Sequence, residues 1–266
     1  MLVLIKGAGD LASGVAVRLH RAGYDIVMTD LPRPTAIRRS VAFCEAIIDG
    51  SAELEGIRAV LAADSGEARA IVARGEIAVL ADAEALCVDG LAPQVVVDAI
   101  LAKHNLGTSI KDAPLVIGLG PGFYAGRDCH AVIETMRGHD LGRVIWDGAA
   151  AANTGVPGEI AGYAAERLLR TPQSGVFREL ARIGDIVEAG AVVAEVDGQP
   201  VRANIGGVLR GLLRSGVSVT ANMKCGDVDP RGRVEYCRSV SDKARAIGGG
   251  VLEAILYFQR SGKNEG

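Results

Sequence analysis

The run Leu2-Val-Leu-Ile-Lys6 stops abruptly in Gly7-Ala8-Gly9-Asp10-Leu11-Ala12, and this junction limits the possible folds more than any other feature of the chain. Successive apolar residues bounded by glycines read as a buried strand. Beyond the glycines, Leu11, Val15 and Leu19 recur at i+4 with Ala12 and Ala16 beside them, the spacing of one helix face. Gly23 ends that helix, and Asp25–Thr29 (DIVMT) reads as a second strand closing on Asp30. Strand, glycine turn, helix, strand is a βαβ unit with parallel strands.

The alternation continues. Residues 56–63, 65–75 and 76–81 read as strand, helix and strand, and further apolar runs lie at Gln94–Asp98 and Pro114–Gly118. Ala131–Thr135 and Arg143–Trp146 flank MRGHDLG and favour a hairpin; a helix over 128–136 is the other reading. Residues 1–172 are thus expected to form a Rossmann-like α/β domain on a mainly parallel sheet. With 49% hydrophobic and 23% charged residues the chain can build a core. A net charge of −3 argues against nucleic-acid binding by phosphate neutralisation. No uncharged apolar stretch reaches the roughly 18 residues of a membrane span, so no membrane association is expected. MLVLIKGAGD has neither a basic n-region nor a small-residue cleavage site, so no signal peptide is expected. The five cysteines are scattered and contain no C-x-x-C pair, which suits a reducing cytoplasm rather than a disulfide scaffold or zinc site.

Past residue 172 an internal repeat appears. Gly175–Val196 and Gly207–Val228 align at an offset of 32 residues with nine of 22 positions identical. Each half reads as a strand pair around a glycine turn, and neither can bury a face alone, so the halves should pack as a pseudo-twofold β unit over 173–236. The pattern resembles the barrel-sandwich module of lipoyl and biotinyl domains, which carry a modified lysine at a hairpin tip. Here that tip is Asp197-Gly198-Gln199-Pro200, so a swinging arm is not expected. Residues 237–266 return to the α/β domain. Gly248–Gly250 precede a helix at Val251–Phe258, either capping an anion or marking a bend, and SGKNEG reads as a frayed tail.

Two glycine loops are candidate sites. Gly7, Gly9 and Ala12 give G-x-G-x-x-A between strand and helix, with Asp30 twenty-one residues past Gly9, the context of a dinucleotide fingerprint. Asp10 is the odd member, since its charge repels phosphate. A ligand-free βα turn is the alternative. The second loop, Gly118-Leu-Gly120-Pro-Gly122-Phe123-Tyr-Ala-Gly126, follows a strand and has the composition of an anion-binding nest. His130 and Glu134 share one face in either a helix or a strand and are the candidate acid/base pair; a structural histidine is the competing reading. Cys129 falls with Ile133 on the other side and reads as inert. Arg38 and Arg39 could fork onto a phosphate or a molybdate-like anion, or lie on a solvated face. His130, Glu134 and His139 match no compact metal-ligand spacing, and no metal is expected.

GAGDLASGVAVRLHRAG, PTAIRRSVAF, GLGPGFYAGRDCHAVIETMRGHDLGRVI, KCGDVDPRG and SVSDKARAIGGGVLEAIL together resemble the YqeB-type family, accessory proteins of the selenium-dependent molybdenum hydroxylase system. The first loop is similar, more loosely, to the Rossmann part of xanthine dehydrogenase accessory proteins. The resemblance implies a maturation role: binding molybdenum cofactor (a pyranopterin) or a nucleotide, and serving a molybdenum hydroxylase client, with homo-oligomerisation open. It supplies no catalytic residues, so the sites rest on the loops. The alternative is an NAD-dependent oxidoreductase with an NAD-like ligand at Gly7–Asp30.

Overall fold

A computed structural model describes residues 1–155 and 158–261, so the last five residues of the expected tail lie outside the described residues. The chain divides into two compact units, the first comprising Met1–Pro34, Ala42–Thr154 and Val240–Gly266, the second Thr35–Val41 and Gly155–Ser239.

The first unit runs β1 (Leu2–Lys6), α1 (Asp10–Arg21), β2 (Asp25–Thr29), α2 (Glu45–Asp49), β3 (Ser51–Leu54), β4 (Ile57–Ala62), α3 (Ser65–Val72), β5 (Ile77–Leu80), α4 (Cys87–Leu91), β6 (Val95–Asp98), β7 (Leu115–Leu119), β8 (Ala131–Ile133) and β9 (Val144–Ile145). These nine strands form one sheet in the order β3-β4-β5-β2-β1-β6-β7-β8-β9. The seven inner strands are parallel, while β3 and β9 pair antiparallel at the two edges. Ala78, Val27, Leu4, Val96 and Val116 form a fully buried row across neighbouring strands. The row belongs to a core that also takes in Ala68 and Ile71 of α3 and Leu91 of α4.

The second unit begins its strands with β10 (Leu168–Arg170). Then β11 (Gly175–Glu179), β12 (Ile186–Val187) and β13 (Val192–Val196) are followed by β14 (Gln199–Arg202), and the same long-short-long order of strands recurs as β15 (Gly207–Leu212), β16 (Ser218–Val219) and β17 (Lys224–Asp229). The two sheets are β10-β17-β15-β12 and β14-β13-β11-β16. Each short strand therefore crosses to the other half of the repeat. The exchange is reciprocal: Gly184 N–H donates to Leu209 O and Gly216 N–H donates to Phe177 O, both at 2.8 Å and 32 residues apart. Since β10 and β14 occupy matching places, the structural repeat starts near residue 168, seven residues before the visible sequence identity.

The expected Rossmann-like parallel sheet with an inserted lipoyl-like module is corrected on both counts. The large sheet is mixed, because the hairpin through Glu55-Gly56, both at positive φ, and the β8–β9 hairpin close its edges antiparallel. Between β7 and β8 the crossover carries no helix. The second unit is not a self-contained 173–236 insertion but a pair of antiparallel sheets that begins earlier and takes in Thr35–Val41.

The last helix, α5 (Asp242–Ser261), belongs to the first unit and contains Gly248–Gly250 inside it rather than ahead of it. Gly248 serves close helix packing against α1, and Gly250 lets the Gly142 loop approach, while Gly249 faces open space. A side chain on Gly248 would press on Arg18 Cβ at 3.1 Å and Gly14 O at 3.3 Å, and one on Gly14 would meet Ala244 Cβ at 2.5 Å.

Candidate functional site

The chain leaves β1 toward β2 on one side and returns to β6 on the other, so the topology reverses at β1 and β6. Open α/β sheets leave their ligand crevice outside the carboxyl ends of strands at such a switch point. Gly7–Gly9 follow β1 here, Asp30 follows β2, and Ala99-Ile100 follow β6.

The loop after β1 is tightly tied. Gly7 N–H donates to Thr29 O at 2.8 Å, Cys44 N–H to Ala8 O at 2.9 Å, and Ser13 Oγ joins Ala8 O (3.1 Å) to Phe43 N–H (2.8 Å). Asp30 turns its carboxylate back onto the loop, accepting from Ala8 N–H and Leu31 N–H, each at 2.7 Å. Burial raises its pKa, and these two N–H donors oppose the shift. The structure thus brings Gly7, Gly9 and Asp30 together as the spacing predicts, but one donor of the expected phosphate cradle serves Asp30. Asp10 opens α1, where a carboxylate suits the helix dipole, and Ala12 is buried in its first turns. Gly7 is needed for packing: a Cβ there would sit 3.0 Å from Ala99 O. Gly9 is different. Its φ is an ordinary −69° and no protein atom lies within 4 Å of where a side chain would begin.

Beside this loop lies a buried network that the motif reading missed. Lys6 Nζ donates to Thr108 Oγ1 at 3.0 Å and pairs with Asp112 Oδ2 at 3.1 Å, and Thr108 Oγ1 donates to Asp98 Oδ2 at 2.6 Å. Burial raises the Asp98 pKa against the Thr108 and Ile100 hydrogen bonds. The connecting loop holds Leu101 and Lys103 at φ 61° and 68°, positions where non-glycine residues are strained. The only signal in the sequence was a charged residue closing each of two apolar strands, Lys6 and Asp98.

The Gly118–Gly126 loop has a structural explanation. Only eleven residues separate Leu119 from Ala131, yet β7 and β8 are parallel. Parallel crossovers take a dozen or more residues, usually with a helix, so this loop must fold tightly and supply its own core. Phe123, 5% exposed, fills the space a Gly118 side chain would need, and Thr135 fills that at Gly120. A Cβ on Gly122 would lie 2.7 Å from His104 backbone atoms. The N–H groups of Gly120, Tyr124, Ala125 and Gly126 donate to Ile133 O, Asp128 Oδ2, Gly148 O and Cys129 O. Four N–H groups of the expected nest are therefore already taken by protein acceptors.

His130 and Glu134 do not meet. The hairpin reading of 129–147 holds, so they flank the three-residue strand β8, separated by roughly 13 Å at about 3.3 Å per residue. Shared parity put them on one face but at opposite ends. His130 Nδ1 accepts Val116 N–H at 2.9 Å, and burial holds the imidazole below its ordinary pKa. Glu134, buried, joins Met136 N–H to Ala151 N–H, both at 2.7 Å. Arg38 and Arg39 belong to the second unit. Arg38 donates to Tyr236 O at 3.0 Å; Arg39 donates to Leu212 O at 2.8 Å and pairs with Glu179.

All five cysteines are buried and unbridged. Burial pushes Cys129 up to about 11 and Cys87 and Cys225 to about 12, and it raises Cys44 and Cys237 as well. The thiolate is the reacting form, so a thiol reagent at pH 8 is expected to label the native chain far more slowly than the urea-unfolded chain. Fast labelling of any one thiol in the native chain would overturn this.

No protein-family model matches the chain. Among described residues no helix is long and apolar enough to cross a membrane. An aspartoacylase-family protein from Mesorhizobium loti aligns over 87% of this chain and 86% of its own at 13% identity, with a TM-score of 0.29, too low to carry an argument. Against Escherichia coli K12 YqeB, described as an uncharacterized protein, the chain is 51% identical over 261 residues. That match takes in 98% of this chain and 48% of YqeB, so the chain is a relative of YqeB along nearly its whole length and spans about half the length of that curated protein.

Proposed function

We propose that the chain is an accessory protein in maturation of a molybdenum hydroxylase, binding a nucleotide or pyranopterin in the crevice at the ends of β1 and β6. The observation that carries the binding reading is Gly9. Neither its backbone angle nor any neighbouring atom requires a glycine there, whereas a phosphate approaching the start of α1 does. Asp30, at the end of the neighbouring strand, supports a ribose or pterin hydroxyl beside it. The molybdenum assignment rests on the motif resemblance.

The test is calorimetric titration with NAD, NADP, ATP, CTP and isolated pyranopterin, on the native chain and on Gly9→Val. Gly9→Val is expected to keep the native melting temperature and to weaken the bound ligand by at least about tenfold, or roughly 1.4 kcal/mol. Equal affinity in both, or no binding by any of the five, overturns the site. The maturation role is read separately, as loss of cofactor loading of a molybdenum hydroxylase in cells carrying Gly9→Val; full loading refutes it.

A further inference from the structure

We propose that a second site, in the groove between α1 and α5, binds the phosphate group of a small, soluble phosphate monoester. Arg18, Arg21 and Arg245 line one cavity of about 340 Å³, with Val17 and Leu252 giving it apolar walls. Glu55, from the β3–β4 turn, accepts from Arg21 at 3.0 Å and from Arg245 at 2.6 Å. Three guanidiniums and one carboxylate leave a local charge of +2, on a chain whose total is −3.

The helix dipoles account for two of these three arginines but not for the third. Arg18 and Arg21 stand in the last turn of α1, where cations are favoured by the helix dipole. Arg245 stands in the first turn of α5, where a cation is disfavoured. Glu55 offsets one of the three charges and is itself fixed, with its backbone at φ 51° and its Oε1 also accepting Val240 N–H at 3.0 Å. Three guanidiniums offer about fifteen N–H donors. Among the described residues these make four hydrogen bonds, from Arg18 to Arg245 O, from Arg21 to Glu55 Oε2 and Glu55 O, and from Arg245 to Glu55 Oε1.

The ligand class follows from charge and shape. A residual +2 matches the dianion of a phosphate monoester, and the planar fork of arginine suits phosphate oxygens. The cavity is at the small end of ligand sites, which favours a short ester over a dinucleotide. Arg18 lies about 13 Å along α1 from Gly9 at roughly 1.5 Å per residue, so the two sites can be separated by mutation.

The experiment follows the melting temperature and NMR shifts of the full chain at constant ionic strength. It titrates inorganic phosphate, glycerol 3-phosphate and acetate, and adds a sedimentation arm with vesicles containing phosphatidic acid. Saturable binding of phosphate and its ester, little effect of acetate, and a loss of about tenfold or more in Arg18→Gln and Arg245→Gln support the site. The phosphate-induced NMR shifts should centre on Arg18, Arg21 and Arg245 rather than on Gly7–Asp10, which separates this site from the crevice at β1. Should Arg245→Gln fail to fold through its contact with Glu55, Arg18→Gln decides alone. Unchanged affinity in Arg18→Gln, equal binding of acetate, phosphate shifts that spare Arg18, Arg21 and Arg245, or binding to vesicles with none to the soluble ester would each overturn the proposal.

Discussion

Replacing Gly122 by Val is expected to destabilise the first unit by roughly 3–5 kcal/mol, the sum of positive-φ strain and overpacking. Gly122 sits at φ 113°, and a Cβ there would approach His104 Cα and N to 2.7 Å and Lys103 C to 2.9 Å. The atoms in the way are backbone, so no rotamer change relieves the clash. His104 belongs to the loop after β6, whose Thr108 holds Lys6 and Asp98; pushing that loop outward threatens the buried network as well. The contrast with Gly9→Val is the informative part. Both are glycines of loops at the carboxyl end of the sheet, yet one is demanded by the protein and the other is not. A urea midpoint for Gly122→Val equal to that of the native chain would mean that the crossover loop has room, and that an exposed nest remains open as an explanation for its glycines.

What the sequence revealed and what it hid follow one physical divide. Periodicities that repeat within a few residues were readable: Leu11, Val15 and Leu19 placed α1, and the 32-residue identity placed the paired β halves, because each reports a local face that must be buried. Chain reversals over long distances were not. Nothing in Thr35–Val41 announces membership of the second unit, because a segment of seven residues has no period to read. His130 and Glu134 show the limit most directly. Even spacing fixes which face a strand residue occupies, but the 3.3 Å rise that carries them apart is visible only once the segment is known to be a strand. Glycines were ambiguous for a related reason. A missing side chain leaves open space at Gly9, makes room for His104 at Gly122 and for α1 at Gly248, and the sequence looks the same in each case. Lys6 was hidden because its partners, Thr108 and Asp112, lie more than 100 residues away.

Asp229→Asn is expected to cost the second unit about 3–5 kcal/mol at neutral pH, since removing one partner of a buried ion pair leaves its counter-charges uncompensated. Asp229 is fully buried. Its Oδ2 takes Arg210 at 3.0 Å and Arg231 at 2.7 Å, and its Oδ1 takes the Arg231 side chain at 2.9 Å and backbone N–H at 3.1 Å. Arg210 also reaches Asp227 at 3.2 Å, which pairs with Arg167, and Arg231 stacks on Tyr236 at 4.5 Å. Burial alone would raise the pKa of Asp229, but the Arg231 hydrogen bonds and the two guanidinium charges outweigh it and bring it down to about 2 from an ordinary 3.8. The folded state therefore binds fewer protons than the unfolded chain between those values. The stabilisation, on the order of 2 kcal/mol, is fully present above the unfolded pKa and is lost as pH falls through the folded one. In the native chain this steepens acid unfolding between about pH 4 and pH 2; in Asp229→Asn that contribution disappears while stability at pH 7 is already low. Urea midpoints of both chains across pH 2–7 give the two readings together. A native-like midpoint at pH 7, or an acid limb in Asp229→Asn as steep as the native one, would show that the arginines are held by solvent and that this carboxylate does not anchor the repeat.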